Sequence, residues 1–257
     1  MEPSWQLWVD ETARPGWSNM SIDMALLDRA EQQAESWLRL YRWEPGCLSF
    51  GRHEPASRRY DAERIRRLGL DAVRRPTGGR AVWHESELTY AVACPYSRFP
   101  SLRDAYLEIH RLLAEALRSV GIEAVLAPRI RTAALDSGAC FSQPAGGEVL
   151  VDGRKVIGSA QLRRGSALLQ HGSILLRDDQ HRVGDLVQGG SGSPSSALDT
   201  ASPLARLQPQ ELAKAVTASA SIRWAPVRAC PGEPGGVLDR AALHSPQFRS
   251  SAWTWAK

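Results

Sequence analysis

The stretch that most constrains this chain runs from Ala139 to Leu176, ACFSQPAGGEVLVDGRKVIGSAQLRRGSALLQHGSILL. It sets a cysteine, Cys140, in a loop containing Ser, Gly and Pro, and fifteen positions later a lysine, Lys155, in a short turn-and-strand segment. The polar run Gly158-Ser159-Ala160-Gln161 follows, then an apolar strand interrupted by Gln170 and His171. The pattern predicts a two- or three-stranded meander turned at Asp152-Gly153. A loop cysteine near a lysine supplies a nucleophile and its electrostatic helper: the thiolate attacks, and the cation favours both the thiolate and the oxyanion that forms next. The same residues also fit a small buried apolar side chain and a solvated strand-end charge, which composition alone favours.

At 257 residues the chain fits one large domain, or a main domain with an appendage. With 43% apolar and 23% charged residues it can bury a core. The N-terminus lacks the cationic start and apolar run of a signal peptide, and no later stretch is long enough to span a bilayer, so a cytoplasmic protein is expected. Cys47, Cys94, Cys140 and Cys230 are far apart and fit neither a zinc cluster nor a disulfide framework. The net charge of +4 is concentrated in Arg58-Arg59, Arg64 to Arg67 and Arg74-Arg75. Such patches can steer an acidic partner, although a solvated helix face explains the first two as well. No aromatics are interleaved to stack bases, so no nucleic-acid partner is expected.

Trp5, Leu7 and Val9 alternate with other residues and predict an opening strand. Ser18 and Asn19 read as the N-cap of a helix carrying Met20, Met24, Leu27, Ala34 and Leu38. Leu38 to Trp43 and Cys47 to Gly51 read as strand, turn, strand, and a charged helix covers Ala62 to Leu68. In Asp71 to Ala93, DAVRRPTGGRAVWHESELTYAVA, a tight loop at Pro76-Thr77-Gly78-Gly79 lies between strands. A Gly-Gly loop lets backbone N–H groups approach a ligand carbonyl, phosphate or carboxylate, with Arg74, Arg75 and Arg80 supplying charge around it. It lacks the spacing of a P-loop or a dinucleotide fingerprint, and a plain hairpin turn is the commoner use of such a triplet. His84 suits a structural hydrogen-bonder or a site residue.

Leu102 to Val120 form the clearest helix, followed by a strand at Ile122 to Leu126. Gln188 to Pro203, QGGSGSPSSALDTASP, reads as a mobile loop, and short helices are expected at Glu211 to Ala220 and Leu238 to His244. The order of elements argues for an α+β (mixed α/β) fold with mixed sheets flanked by helices. The division expected is a catalytic domain at 1–187, a Gly/Ser/Pro loop at 188–203 and a helical extension at 204–257 packed on the same domain.

RRPTGGRAVWHESELTYAV at Arg74 to Val92, together with GRKVIGSAQLRRG and LQHGSILL between Gly153 and Leu176, resembles the lipoate–protein ligase and octanoyltransferase superfamily. NMSIDMALL and LRLYRWEPGCLSFGRHE support the resemblance, which runs from about Asp10 to Arg177 with a weaker echo at Ser251 to Thr254. It implies a biotin/lipoate protein ligase-like catalytic domain. Cys140 upstream of Glu148, Lys155 and Gly158-Ser159-Ala160 looks like the cysteine-dependent octanoyltransferases. ATP-dependent ligases tend to carry a third glycine where this chain has Arg80.

The resemblance implies ping-pong transfer of an octanoyl group from acyl carrier protein, through a Cys140 thioester, to a lysine of a lipoyl domain. The glycine cleavage H protein is the foremost acceptor. Lys155 would be the helper cation. Arg75, Thr77, Gly78, Gly79, Arg80, His84, Gly158, Ser159, Ala160 and His171 would form the substrate site. An apolar tunnel for the acyl tail is expected from the 153–176 strands and from Leu88 to Ala93. No cofactor or metal is called for, and a monomer is expected. The alternatives are an ATP-dependent lipoate–protein ligase, an amidotransferase acting between lipoyl domains, and a non-catalytic binder of lipoyl domains.

Overall fold

The computed structural model describes residues 4–128, 146–189 and 202–256. β1 (Trp5–Val9) leads to α1 (Gly16–Gln33), β2 (Ser36–Tyr41), β3 (Cys47–Phe50), α2 (Ala56–Arg59), α3 (Ala62–Arg67), β4 (Asp71–Arg74), β5 (Val82–His84) and β6 (Glu87–Pro95). Next come α4 (Leu102–Ser119), β7 (Ala124–Leu126), β8 (Val149–Val151), β9 (Arg154–Lys155), β10 (Ile157–Arg164), β11 (Ala167–Leu175) and α5 (Arg182–Asp185). α6 (Pro209–Arg223), β12 (Val227–Ala229), α7 (Val237–Arg249) and α8 (Ser251–Thr254) follow. This is the mixed α+β architecture that the order of elements predicts.

The strands form a six-stranded sheet ordered β10-β11-β6-β2-β1-β12 and two three-stranded sheets, β4-β3-β5 and β7-β8-β9. In the large sheet β1 runs parallel to β2 and β12, while β2, β6, β11 and β10 alternate in direction. One face buries Leu38, Leu40, Tyr90 and Val92 against α4 and α6. The other buries Trp37, Tyr41, Ala91 and Leu169 against α1 and α7. With both faces covered, β6 is buried from Glu87 through Cys94, as a central strand requires. A third apolar cluster, around Phe50, Tyr60 and Trp83, underlies the small sheet that carries β3.

Several boundaries differ from expectation for non-local reasons. α1 starts at Gly16, not after Ser18-Asn19, because the Gly16 N–H is capped from outside by Asp71 Oδ2 of β4 at 2.6 Å. The helix ends at Gln33, so Leu38 belongs to β2. Because β1 is covered on both faces, Trp8 is buried and Val9 is the exposed residue. β2 and β3 are not a hairpin; they belong to different sheets. The predicted meander is likewise two hairpins: β8 and β9 turn at Asp152-Gly153 in one sheet, and β10 pairs with β11 in another. β12, which periodicity did not reveal, adds a C-terminal strand to the large sheet.

The arginine pair Arg74-Arg75 is not surface charge. Arg74 is 2% exposed and donates to the carbonyls of Gly51, Arg52, Glu54, Trp253 and Ala256. It ties the 51–54 turn to the C-terminal helix. Arg58, Arg59, Arg66 and Arg67 do lie exposed.

The two sheets meet where the chain crosses between them, at 42–46 and 85–86, and the 75–81 loop closes the junction. Gly51 makes this closure possible, since a Cβ there would sit 1.8 Å from the Gly79 carbonyl oxygen. Gly51→Ala must therefore push the two backbones apart. Urea denaturation is expected to show a loss of about 2 kcal/mol or more, at the upper end for overpacking. An unchanged midpoint would mean that the loop yields freely.

Candidate active site

At this junction lies a small, partly open cavity. Arg75 and Gly79 come to it from the glycine loop, and His84 from β5. Gly158, Ser159 and Ala160 come from β10, and His171 and Ser173 from β11. Met20, Tyr41, Trp43 and Val82 give its walls apolar surface. That apolar contribution comes from α1, β2, the 42–46 crossing and β5. The expected 153–176 strands line it with Gly158, Ser159, Ala160, His171, Gly172 and Ser173, of which only Ala160 carries an apolar side chain, and Leu88 to Ala93 add only Thr89.

The walls are wired by buried polar side chains. Arg75, 6% exposed, donates to the Ser49 carbonyl at 2.9 Å and to the carbonyls of Gly78 and Arg80, so its guanidinium clamps the glycine loop from beneath. It also donates to Ser49 Oγ at 2.5 Å, and Ser49 Oγ lies 2.5 Å from His84 Nε2. His84 Nδ1 lies 2.7 Å from Glu87 Oε1, which also accepts from Thr89 and Ser173. Burial pushes the His84 pKa down despite Glu87, which favours the neutral ring. Nδ1–H then donates to Glu87 and Nε2 accepts from Ser49. The ring stacks on Trp43 at 4.0 Å, and Trp43 in turn donates to Thr89. Both nitrogens of His84 are thus engaged in the wall.

His171 holds the opposite side. Its Nδ1 lies 2.8 Å from Asp23 Oδ2 and its Nε2 lies 2.7 Å from Thr77 Oγ1. Asp23 also accepts from Tyr41 and from Arg39, which has no solvent exposure and further donates to Asp10 and Asn19. The chain Arg39–Asp23–His171–Thr77 therefore fixes the glycine loop against β11.

The residues singled out from sequence are thus largely brought together. Arg75, Gly79, His84, Gly158, Ser159, Ala160 and His171 line the cavity; Thr77 is bonded to His171, and the Gly78 and Arg80 carbonyls to Arg75. Lys155 stands on β9, just before the β10 run into Gly158, with its Nζ 2.5 Å from Glu148 Oε1 and its side chain 5% exposed. Cys140 lies outside the described residues. Asp23, Asn19, Trp43, Ser49 and Glu87 were not read as site residues. Asn19 and Asp23 could have been, as two polar residues one helical turn apart on the buried face of NMSIDMALL.

Residues 15–218 match the family described as Lipoyl protein ligase A/B catalytic domain. The chain belongs to that family. Octanoyltransferase LipM of Carboxydothermus hydrogenoformans is 42% identical over 180 residues, which cover 68% of this chain and 66% of that protein, just under two thirds of its length. Octanoyltransferase LipM of Symbiobacterium thermophilum is 35% identical over 235 residues, covering 89% of this chain and 84% of that one. A crystal structure of lipoate-protein ligase A bound with ATP aligns with a TM-score of 0.78 at 17% identity, covering 99% of both chains. The fold is thus that of the lipoyl ligase catalytic domain. No helix among the described residues is long and apolar enough to cross a membrane.

Two predictions come from this wiring. Asp23→Ala leaves the Arg39 guanidinium buried with one carboxylate fewer, and breaking a buried pair in this way typically costs about 3–5 kcal/mol. A chemical denaturation loss below about 1 kcal/mol would show that Asp10 alone satisfies Arg39. The second concerns Asp179, whose Oδ2 is buried without a hydrogen bond and whose pKa is pushed up to about 7, first by burial and then by Glu87. A raised carboxyl pKa costs stability as pH rises from its unfolded value, near 4, through the folded one. Asp179→Asn should therefore match the wild type near pH 4 and exceed it by about 2 kcal/mol at pH 8, after allowance for partial exposure. A pH-independent difference would refute the assignment.

Proposed function

We propose that the protein is an octanoyltransferase that carries its acyl group on Cys140 and delivers it to a lipoyl-accepting lysine. The observation that carries this reading is 35% identity, sustained over 89% of the chain, with a protein named as an octanoyltransferase. Thiol chemistry supports Cys140 as the nucleophile. Cys47 and Cys94 are buried, and burial holds the Cys47 thiol well above its ordinary pKa and moves Cys94 to about 12. Burial also raises the pKa of Cys230. None of these three has the thiolate character that attack on a thioester requires.

In the first half-reaction the Cys140 thiolate attacks the carbonyl carbon of the octanoyl thioester of acyl carrier protein. The tetrahedral oxyanion collapses, expels the carrier thiolate and leaves octanoyl-Cys140. In the second, the ε-amine of a lipoyl domain, with glycine cleavage H protein foremost, attacks that thioester. An amide forms, the Cys140 thiolate departs, and the proton lost from the amine balances the step. Lys155 is the cation that stabilises the oxyanion in both halves. The thioester drives the reaction, so no nucleotide is consumed. The cavity between the glycine loop and β10 holds the octanoyl tail on Met20, Trp43 and Val82. Residues 1–187 carry this catalytic unit and the 204–257 extension adds β12 to the large sheet, while the loop expected at 188–203 lies for the most part outside the described residues.

Intact-protein mass spectrometry after mixing with octanoyl-acyl carrier protein, without ATP, tests the proposal. One octanoyl adduct is expected; hydroxylamine should remove it and Cys140→Ala should lack it. Lys155→Ala should slow its formation by about 10²–10³, the usual cost of losing an oxyanion donor. Octanoylation of a lipoyl domain only when ATP and free octanoate are supplied would make the protein a ligase instead.

A further inference from the structure

Lys155 is one of three lysines in the chain, with Lys214 and Lys257, and the groups that hold it in place extend beyond Glu148. Gly147, the residue before Glu148, gives its carbonyl to His110 Nδ1 at 2.7 Å. His110 is fully buried on α4, and its other nitrogen, Nε2, lies 2.8 Å from Ser159 Oγ in the cavity wall. One imidazole therefore spans the distance from the acyl cavity to the turn that carries the partner of Lys155.

The hydrogen bonds around this ring have a fixed direction. A carbonyl only accepts, so Nδ1 must carry the proton toward Gly147. Burial, assisted by the Lys155 charge, lowers the His110 pKa to about 4 against the pull of the Gly147 bond, so the ring is neutral near pH 7. Nε2 is then an acceptor and Ser159 must be its donor. Ser159 Oγ in turn accepts from Tyr90 at 2.6 Å, and Tyr90 accepts from Gln170 Nε2 at 2.9 Å. Gln170 Oε1 accepts from Gln161 at 2.9 Å. A relay five side chains long thus ends on the Gly147 carbonyl. It directs the Ser159 proton toward His110, so the serine offers no donor to an apolar tail. Gly172 keeps the relay closed, since a Cβ there would lie 2.7 Å from Ser159 Oγ and 2.9 Å from the Tyr90 ring.

We infer that His110 is a positioning residue for Lys155: through the Gly147 carbonyl it sets the place of Glu148, and through Glu148 that of the catalytic cation, in register with the acyl cavity. The inference rests on the octanoyltransferase reading for what Lys155 does, but not for where Lys155 is held. Its test therefore has a readout that needs no turnover. Competitive labelling of folded protein with acetic anhydride near pH 7, quantified by peptide mass spectrometry, reports the reactivity of Lys155 against exposed Lys214.

His110→Asn places an amide N–H where Nδ1 stood, and His110→Gln places its amide where Nε2 stood. Asn should keep Lys155 as protected as in the wild type. Gln, which loses the Gly147 bond, should raise Lys155 labelling about tenfold relative to Lys214, the factor set by one buried hydrogen bond. Enzyme acylation by octanoyl-acyl carrier protein should slow in the Gln variant and be largely spared in the Asn variant. Unchanged Lys155 labelling in the Gln variant overturns the inference. Equal changes in both variants also overturn it, because His110 would then be core packing only. The expected labelling pattern, with no octanoyl adduct in the wild type, keeps the positioning role and removes the transferase reading.

Discussion

The buried guanidinium of Arg39 is the constraint on which the rest of the architecture turns. A cation with no solvent exposure is costly unless carboxylates and carbonyls are brought to it, and the chain brings Asp10 from the end of β1 and Asn19 and Asp23 from α1. Tyr41 lies under the guanidinium at 4.0 Å, a cation–π contact that a dry site strengthens. Meeting the needs of one charge therefore fixes the rotation of α1 over the large sheet. Asp23 passes the same order to His171 on β11, and His171 passes it to Thr77. The glycine loop is held in place by a chain of bonds that begins at Arg39 on β2.

The cavity is consistent with an apolar guest even though many of its lining residues are polar. His84, Thr89, Ser159, His171 and Ser173 each have partners within the wall, so little of their hydrogen-bonding capacity is left to attract water. Trp43, Val82 and Met20 supply the surface that a hydrocarbon tail prefers. Such a wall discriminates by shape and dryness, which suits an acyl chain better than a nucleotide or a sugar.

The candidate site was legible in the sequence wherever its residues sat in a contiguous motif. Thr77 to Gly79, His84, Gly158 to Ala160 and His171 do converge, and α3, α4 and β6 follow from local periodicity. What was hidden depends on partners far along the chain. The start of α1 is set by Asp71, 55 residues away, so no local capping pattern marks it. Arg74 reads only as charge beside the glycine loop, because the carbonyls that bury it come from 51–54 and from the C-terminal helix, about 20 and 180 residues away. β2 and β3 look like a hairpin because strand signals say nothing about which sheet a strand joins. His110 reads only as a member of an amphipathic helix, since its two partners come from β10 and from the turn before β8.

The ion pair at Lys155 ties these features to the proposed chemistry. Burying an ammonium is costly unless a carboxylate accompanies it; the Lys155 side chain is 5% exposed, and Glu148 meets it at 2.5 Å. In the resting protein the pair is electrically balanced and offers little net field to a neutral thioester. When attack moves charge onto the carbonyl oxygen, the ammonium, with three donors, can serve Glu148 and the new oxyanion together. The interaction therefore grows only as the transition state forms, which is the condition for accelerating chemistry and not merely binding substrate. An exposed lysine would give up much of this advantage to solvent screening. Glu148 thus resolves a conflict between burial and charge, and the hydrogen bonds that place Glu148 become part of the proposed catalytic geometry.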